Sequence, residues 1–399
     1  MIKLAWRNIW RNSRRTVITI ASVFFAVFFC VITMSFQKGM WDRMIDNTLR
    51  TQTGHIQIHA KEYWEDKVID NFMFMDSAAI SELENIGNIA NVSPGVETFA
   101  MAASDLVSRG IAIIGVSPEK EAQKSNLSSR IIRGEYLSET DDGILIGEGL
   151  ANYLKVDIGD TLALIGQGYQ GSNAAELFPI RGILKLMTTE MNNSMAYITL
   201  PAAQQFINMP DGYSGILISI KDNKRLNETI RKVNEIVDET HDVYSWHFTM
   251  ERLLQQSKTD TAFGVVIIFV MYVIVGFGIL GTVIMMTNER RREFCVMISL
   301  GMQRIRLSAI IAVELLIMSF IGVALAFMIT LPIAYWFAVN PIELGGEMGV
   351  MMGDYGMEPI MPMSFKPSIF IEPMITIFVI VLLAIIYPVN RILKLRIVK

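Results

Sequence analysis

Residues 261–288 run for 28 positions without one charged side chain. Nothing else restricts the possible folds so strongly. A bilayer core about 30 Å thick is crossed by about 20 apolar residues in a helix, and a backbone in lipid must satisfy its own hydrogen bonds. Three more segments share this character. Residues 16–36 give 21 uncharged positions, 307–342 carry only Glu314, and 373–390 carry no charge. Four spanning helices are therefore expected. Composition agrees, with 52% hydrophobic residues in 399 and a mean hydropathy of +0.38, high for a soluble domain. The first span is too long for a signal-peptide core, and no small-x-small cleavage site follows "TMSFQKGM", so it is expected to stay as an anchor.

The net charge of −4 conceals an asymmetry. Residues 1–15 hold Lys3, Arg7, Arg11, Arg14 and Arg15 and no acid. The connector after the second span holds Arg290, Arg291, Arg292, Arg304 and Arg306, and the end of the chain adds Arg391, Lys394, Arg396 and Lys399. Residues 38–260, by contrast, hold 20 basic and 31 acidic residues, a net of 20 − 31 = −11. The positive-inside rule then puts both termini and the connector in the cytoplasm and the large acidic segment outside. Cys30 lies within the first span and Cys295 on the inner side, so the outer segment has no disulfide and must rely on a packed core.

Residues 2–15 read as a basic amphipathic helix lying in the inner interface, with Ile2, Trp6, Ile9 and Trp10 on one face and Arg7, Arg11 and Arg14 on the other. A topology signal alone would have the same composition. The outer segment, 38–260, is long enough for one or two small domains. Strand-like runs occur in "GHIQIHA", "GIAIIGV", "GILIGE", "TLALIG", "FPIRGIL", "MAYITL" and "GILISI". Helical periodicity occurs in "SAAISELENIGNI", "PAAQQFINM" and "KRLNETIRKVNEIVDE". The fold class expected is an integral membrane protein of four transmembrane helices, with a large α+β domain inserted between helices 1 and 2. The flanks "QKGMWDRMIDNTL" and "TMERLLQQSKTDTAF" read as helical extensions of the first two spans. The boundaries expected are 1–15 interfacial helix, 16–37 first span, 38–260 inserted domain, 261–288 second span and 289–306 connector. Then come 307–339 third span, 340–368 methionine-rich outer loop, 369–390 fourth span and 391–399 tail.

Several motifs are weighed and set aside. "GQGYQG" at 166–171 matches the dinucleotide pattern G-x-G-x-x-G, but no convincing helix follows to bind a pyrophosphate, so it reads as a glycine hairpin. "GFGILG" at 276–281 reads as a place where helices approach closely. The dipeptide Gly-Lys never occurs, so the chain carries no P-loop and any ATP must be hydrolysed by another subunit. His55 and His59 share a strand face with Gln57 and read as a polar outer face; no metal site and no catalytic residue are expected. Asp141–Asp142–Gly143 reads as a turn. "GGEMGVMMGDYGMEPIMPM" holds six methionines in 19 residues, a flexible, polarisable loop suited to contacting lipid or substrate, or simply resting on the membrane. Glu314 lies about two turns into the third span, on the order of 10 Å deep. It is either a functional intramembrane acid or the partner of Arg306 or another arginine.

The connector, "ERRREFCVMISLGMQRIRL", puts an apolar stretch between two charged ends, more than a topology signal needs. Together with "LAWRNIWRNSRRT", "GHIQIHAKEY", "ILIGEGLANYLKVDIGDTLAL", "MAYITLPAAQQF" and "YPVNR", it resembles the FtsX/MacB superfamily of ABC-transporter permeases over essentially the whole chain. The family's alanine-rich, proline-containing tail is replaced here by "ILKLRIVK". The resemblance implies a coupling helix that docks on a separate ATPase. Glu289, Arg290, Arg291, Arg292 and Glu293 would meet its charged rim, Phe294, Met297 and Leu300 would fill an apolar pocket, and Gly301 would turn the chain. It further implies two ATPase copies using ATP and Mg, with no cofactor held by this chain, and a second permease, identical or different. The bilayer is a partner and nucleic acid is not. Of the family's branches, lipoprotein release toward a periplasmic carrier or adaptor fits best; a mechanotransmission exporter of peptides or drugs and a regulator of a cell-wall hydrolase are the alternatives. Moving an acyl chain into water costs about 0.8 kcal/mol per methylene, so release needs an apolar cavity wall. Phe24, Phe28, Phe29, Met40, Met271 and Ile274 are the candidates for it, and ordinary packing or lipid-facing positions would look the same.

Overall fold

A computed structural model describes residues 2–11, 13–105, 107–354 and 360–394. Part of the methionine-rich loop, 355–359, and the basic tail from 395 lie outside the described residues. The side chains of Ile2 and Arg15, expected on the interfacial helix, lie outside them as well. The chain forms two compact units: Met1–Arg43 with Gln256–Ile342 and Met361–Lys399, and Met44–Gln255 with Glu343–Ile360.

The first unit is helical. A short helix, Ile2–Arg11, precedes four long ones: Ser13–Thr48, Glu251–Glu289, Arg304–Val339 and Pro367–Leu393. Each is long and apolar enough to cross a membrane. At 1.5 Å per residue the first two extend about 54 and 58 Å, well beyond a bilayer core of about 30 Å. The helical extensions expected beyond both spans are present. The third helix is the most enclosed and the second the least. Gly322 explains part of the third helix's burial, because a Cβ there would come within 2.8 Å of Val23 on the first helix. The glycines of "GFGILG" behave differently from expectation. A Cβ at Gly278 or Gly281 would meet nothing within 4 Å, and one at Gly276 would touch only Ile380 at 3.6 Å. On this least enclosed helix they bring no neighbour close. The interfacial helix also differs in its faces. Ala5 and Ile9 turn into the bundle, whereas Trp6 and Trp10 are exposed and meet edge to face at 6.0 Å.

The second unit is an α+β domain on a ten-stranded mixed sheet. The order across it is His241–Ser245, Ile56–Ala60, Gly215–Ile220, Ile89–Ala103, Ser108–Val116, Met195–Thr199, Ile144–Gly147, Asn173–Leu184 and Ile131–Gly134. Thr161–Gln167 bonds off this path to Ile89–Ala103 and Asn173–Leu184. The 15-residue strand Ile89–Ala103 joins two lobes. Its first half pairs with Gly215–Ile220, and its second with Ser108–Val116 and Thr161–Gln167. Each lobe has its own core, one around Ile56, Leu83, Ile218 and Val233, the other around Ile113, Ile146, Phe178 and Ile198. All seven strand-like runs form strands, and the three helical patterns form Ser77–Glu84, Leu200–Phe206 and Leu226–Ile236. The glycine motif is the expected hairpin: Gln167 pairs with Asn173, and Gln170 and Gly171 take positive φ between them.

His59 corrects the reading of a polar outer face. It and Gln57 are buried. The ring stacks on Tyr63 at 4.7 Å, with Trp64 and Tyr244 beside it. Nδ1 lies 2.8 Å from the Ser214 carbonyl oxygen, and Nε2 lies 2.9 Å from Gln57 Oε1. Burial lowers its pKa to about 4, outweighing the Ser214 carbonyl, which favours the protonated ring; Lys67 adds to the lowering.

Candidate functional site

The connector lies wholly within the helical unit. The second long helix stops at Glu289, Arg290 leaves helical geometry, and a separate helix runs from Arg291 to Ser299. Its end is a Schellman motif. Gly301 takes φ +94, its N–H reaches the Ile298 carbonyl at 3.0 Å, and the Met302 N–H reaches the Met297 carbonyl at 3.0 Å. Gly301 therefore makes the expected turn, and the third long helix starts at Arg304.

The inner face of this short helix is fastened by one ring and a chain of charges. Phe294 is buried with Ile9, Leu307 and Ile311. Arg290, 4% exposed, donates from Nη1 to both oxygens of Glu314 at 3.0 and 2.9 Å. Glu314 is 2% exposed and also takes a hydrogen bond from Asn8. Arg290 Nε reaches Glu293 at 3.3 Å, and Glu293 accepts from Arg11 of the interfacial helix. Burial tends to raise the Glu293 pKa, but Arg11 and Arg290 together hold it below the ordinary carboxylate value. Glu314 thus has the arginine partner expected of it, but that partner is Arg290 and not Arg306. Eight residues along a helix separate Arg306 from Glu314 by about 12 Å, and Arg306 is exposed.

The outer face carries Arg292, Val296 and Leu300 at i, i+4 and i+8, all exposed, with Leu300 at 83%. Arg291 and, at the start of the third long helix, Ile305 are exposed as well. Of the residues expected to dock, Glu289, Arg291, Arg292 and Leu300 are thus on the surface, Glu293 is exposed but paired, and Met297 is half-buried. Arg290 and Phe294 are corrected: both are turned into the chain's own bundle, where they hold the connector instead of projecting from it. Val296 and Ile305, not among the residues expected to dock, are exposed as well. The helical repeat from Arg292 could have identified Val296, whereas the pairing of Arg290 with Glu314, 24 residues apart, leaves no local trace.

The six cavity candidates are scattered in exposure. Phe24, Phe28, Met40 and Met271 are half-buried, while Phe29 and Ile274 are exposed. Phe24 stacks on Phe28 at 5.7 Å, and Phe25 on Phe29 at 6.1 Å. In the α+β unit, a shallow open cavity of about 380 Å³ lies on one sheet face, bordered by Phe99, Met101 and Ile165.

Residues 16–236 match the family model of the MacB-like periplasmic core domain, and residues 265–397 match that of the FtsX-like permease C-terminal region. The chain belongs to the FtsX/MacB family of ABC-transporter permeases. As a family member it is a multi-pass membrane permease subunit with a periplasmic core domain. It is 19% identical over 221 residues to the lipoprotein-releasing system transmembrane protein LolC of Xylella fastidiosa, covering 54% of this chain and 53% of that one. It is 21% identical over 285 residues to the lipoprotein-releasing system transmembrane protein LolE of Haemophilus influenzae, covering 68% and 65%. The permease thus aligns with about half the length of the first relative. Among solved structures, the periplasmic region of MacB from Actinobacillus actinomycetemcomitans is 12% identical, covers 53% of this chain and 98% of that one, and gives a TM-score of 0.37.

Proposed function

We propose that this permease couples ATP hydrolysis by a separate ATPase subunit to the release of lipoproteins from the inner membrane. In this reading the connector and both termini are cytoplasmic, as the arginine distribution favours. Two ATPase copies serve a pair of permeases, identical or different, and a periplasmic carrier or adaptor receives the cargo. ATP and Mg are bound by the ATPase.

One observation carries the coupling step. The exposed stripe Arg292–Val296–Leu300 stands on a short helix whose opposite face is locked into the bundle. A lever needs both: an exposed apolar and cationic surface to fill a groove in a partner, and a fixed back that turns the partner's motion into displacement. The likeness to LolC and LolE supports lipoprotein as cargo. The match to a MacB-like core domain favours a second reading, export of peptides or drugs already in the periplasm by movements relayed along the long first and second helices.

Co-purification tests the coupling. Val296→Asp with Leu300→Asp should remove most of the bound ATPase, because a central apolar anchor contributes about 2 kcal/mol or more, a loss of over tenfold in affinity. Retention of the ATPase by this variant would refute the docking surface. Depletion of the permease separates the cargoes. Lipoproteins stranded in the inner membrane support release, whereas drug or peptide sensitivity with normal sorting supports export.

A further inference from the structure

The short helix Ile2–Arg11 is fixed from behind. Ala5 and Ile9 are buried, Ile9 in one cluster with Phe294 and Leu307, and Asn8 donates to Glu314. Thr16 Oγ1, at the start of the first long helix, donates to the Ile9 carbonyl at 2.7 Å. Ile9 and Thr16 are both buried, so the two helices meet at a corner whose inner side is closed. What faces away is of another kind. Lys3, Trp6, Arg7 and Trp10 fall within an arc of about 100° on the short helix, and all four are exposed.

Arg14, also exposed, heads a second stripe. Ile18, Phe25 and Phe29 follow it at i+4, i+11 and i+15, within about 60° of one face of the first long helix, and all three are exposed. From Ile18 to Phe29 the stripe is about 17 Å long, roughly one leaflet of a 30 Å bilayer core. Arg14 stands just before the uncharged run that begins at residue 16, at the depth of the headgroups. The acids that reach this region are already engaged, Glu314 by Arg290 and Asn8, and Glu293 by Arg11 and Arg290. Among the described residues no carboxylate pairs with Lys3, Arg7 or Arg14.

We propose that this corner binds an anionic phospholipid. Arg7 and Arg14 meet the phosphate, Lys3 adds charge, Trp6 and Trp10 lie at the level of the headgroup, and one acyl chain runs along Ile18, Phe25 and Phe29. Cations without acids select a net negative headgroup over a zwitterionic one. The exposed apolar stripe that Arg14 heads selects a lipid over a free anion, which would leave that stripe uncovered. A lipid held here also seats the connector at a fixed depth, because the same short helix packs on Phe294 and Glu314. Neither the cargo nor the docking of an ATPase bears on this site.

The test is native mass spectrometry of the full-length permease, stripped of lipid in detergent and titrated with phosphatidylglycerol or phosphatidylethanolamine. Phosphatidylglycerol should be retained the more tightly, by roughly tenfold or more, since each cation near the surface accounts for roughly fivefold in affinity. Arg7→Gln with Arg14→Gln should weaken its binding about twenty-fivefold on the same scale. Arg7→Lys with Arg14→Lys keeps the point charges and should retain the lipid. Removing the same charge from the connector, Arg291→Gln with Arg292→Gln, should leave retention unchanged. Equal retention of the two lipids by the unaltered chain, a comparison that needs no variant, would overturn the assignment. So would equal losses in the two glutamine variants, which would mean a diffuse charge effect, or loss in the lysine variant, which would mean a structural role. Displacement of the lipid by inorganic phosphate would mean a free-anion site and would overturn it as well.

Discussion

Phe178, in the α+β unit, is 2% exposed, while Phe277, in the second long helix, is 70% exposed. Arg290 and Glu314 of the helical unit are buried, while Arg225, Glu228 and Lys232 of the α+β unit are exposed. One chain thus follows two opposite distributions, because its two parts fold in two solvents. In water, apolar area is driven inward at about 25 cal/mol per Å² and charges stay out. In lipid that drive vanishes between helices, apolar rings can face outward, and the charges must find partners inside. The largest effect should come from breaking the buried charge pair. Glu314→Leu leaves Arg290 unpaired in a dry site, which costs about 3–5 kcal/mol. A large drop in the thermal midpoint of the purified permease is expected. Adding Arg290→Met should recover most of it, since a packed apolar pair often equals a buried ion pair. If the double variant melts as low as the single one, the pair does more than satisfy itself.

Next in size is the contrast between the two phenylalanines. Phe178→Ala opens a cavity in the α+β core and should cost about 3–5 kcal/mol. Phe277→Ala, on the lipid-facing side of a membrane helix, should leave stability in detergent almost unchanged. Equal losses would mean that Phe277 is covered, and a second permease would be the first partner to examine.

The four spans were legible because length and absence of charge settle them without tertiary information. So were seven strands with regular apolar content. The strand Ile89–Ala103 was not, although it joins both lobes. Its middle, Pro94–Gly95, is a turn signal, and Ala100, Ala102 and Ala103 have little strand preference. Pairing on both sides overrides them, with Pro94 opposite Ile216 and Val96 opposite Gly115. His55, Gln57 and His59 misled for a related reason. Alternation identifies two faces of a strand but not which one meets water, and here Tyr63, Trp64 and Tyr244 cover the polar one. At the connector, the existence of the helix and its glycine turn were legible. Its facing was not, since the residues that bury Arg290 and Phe294 come from the interfacial and third helices.

His59 tests what burial in the watery unit does to a titratable group. Its pKa is lowered from 6.5 to about 4. Below pH 6.5 the unfolded chain binds a proton that the folded one refuses, so stability should fall as pH drops from 6.5 to 4 and level off beneath it. The full effect is on the order of 3 kcal/mol at about 1.4 kcal/mol per pH unit. A denaturation series of the permease across that window, with His59→Gln as control, should lose much of its slope in the variant. NMR titration of the ring should give a midpoint near 4. A midpoint near 6.5 would mean that water reaches the ring.

The smallest effect should come from Glu228, whose geometry nearly repeats that of Glu314. It meets Arg225 at 3.0 Å and Lys232 at 2.9 Å, against 3.0 and 2.9 Å for the two bonds from Arg290 to Glu314. The hydrogen bonds from Arg225 and Lys232 lower its pKa to about 2. The sign of the pH effect is that of a stabilised carboxylate: any contribution is present above the unfolded value and lost as pH falls toward 2. Yet all three side chains are in water, where solvation offsets most of the attraction and salt screens the rest. Glu228→Gln should therefore shift the melting midpoint by no more than its measurement error, and added salt should erase even that. A shift comparable with that of Glu314→Leu would show that distance governs these pairs, and the contrast between the two solvents would fail. With equal spacing on both sides, distance cannot separate the two carboxylates, whereas burial of one and exposure of the other can.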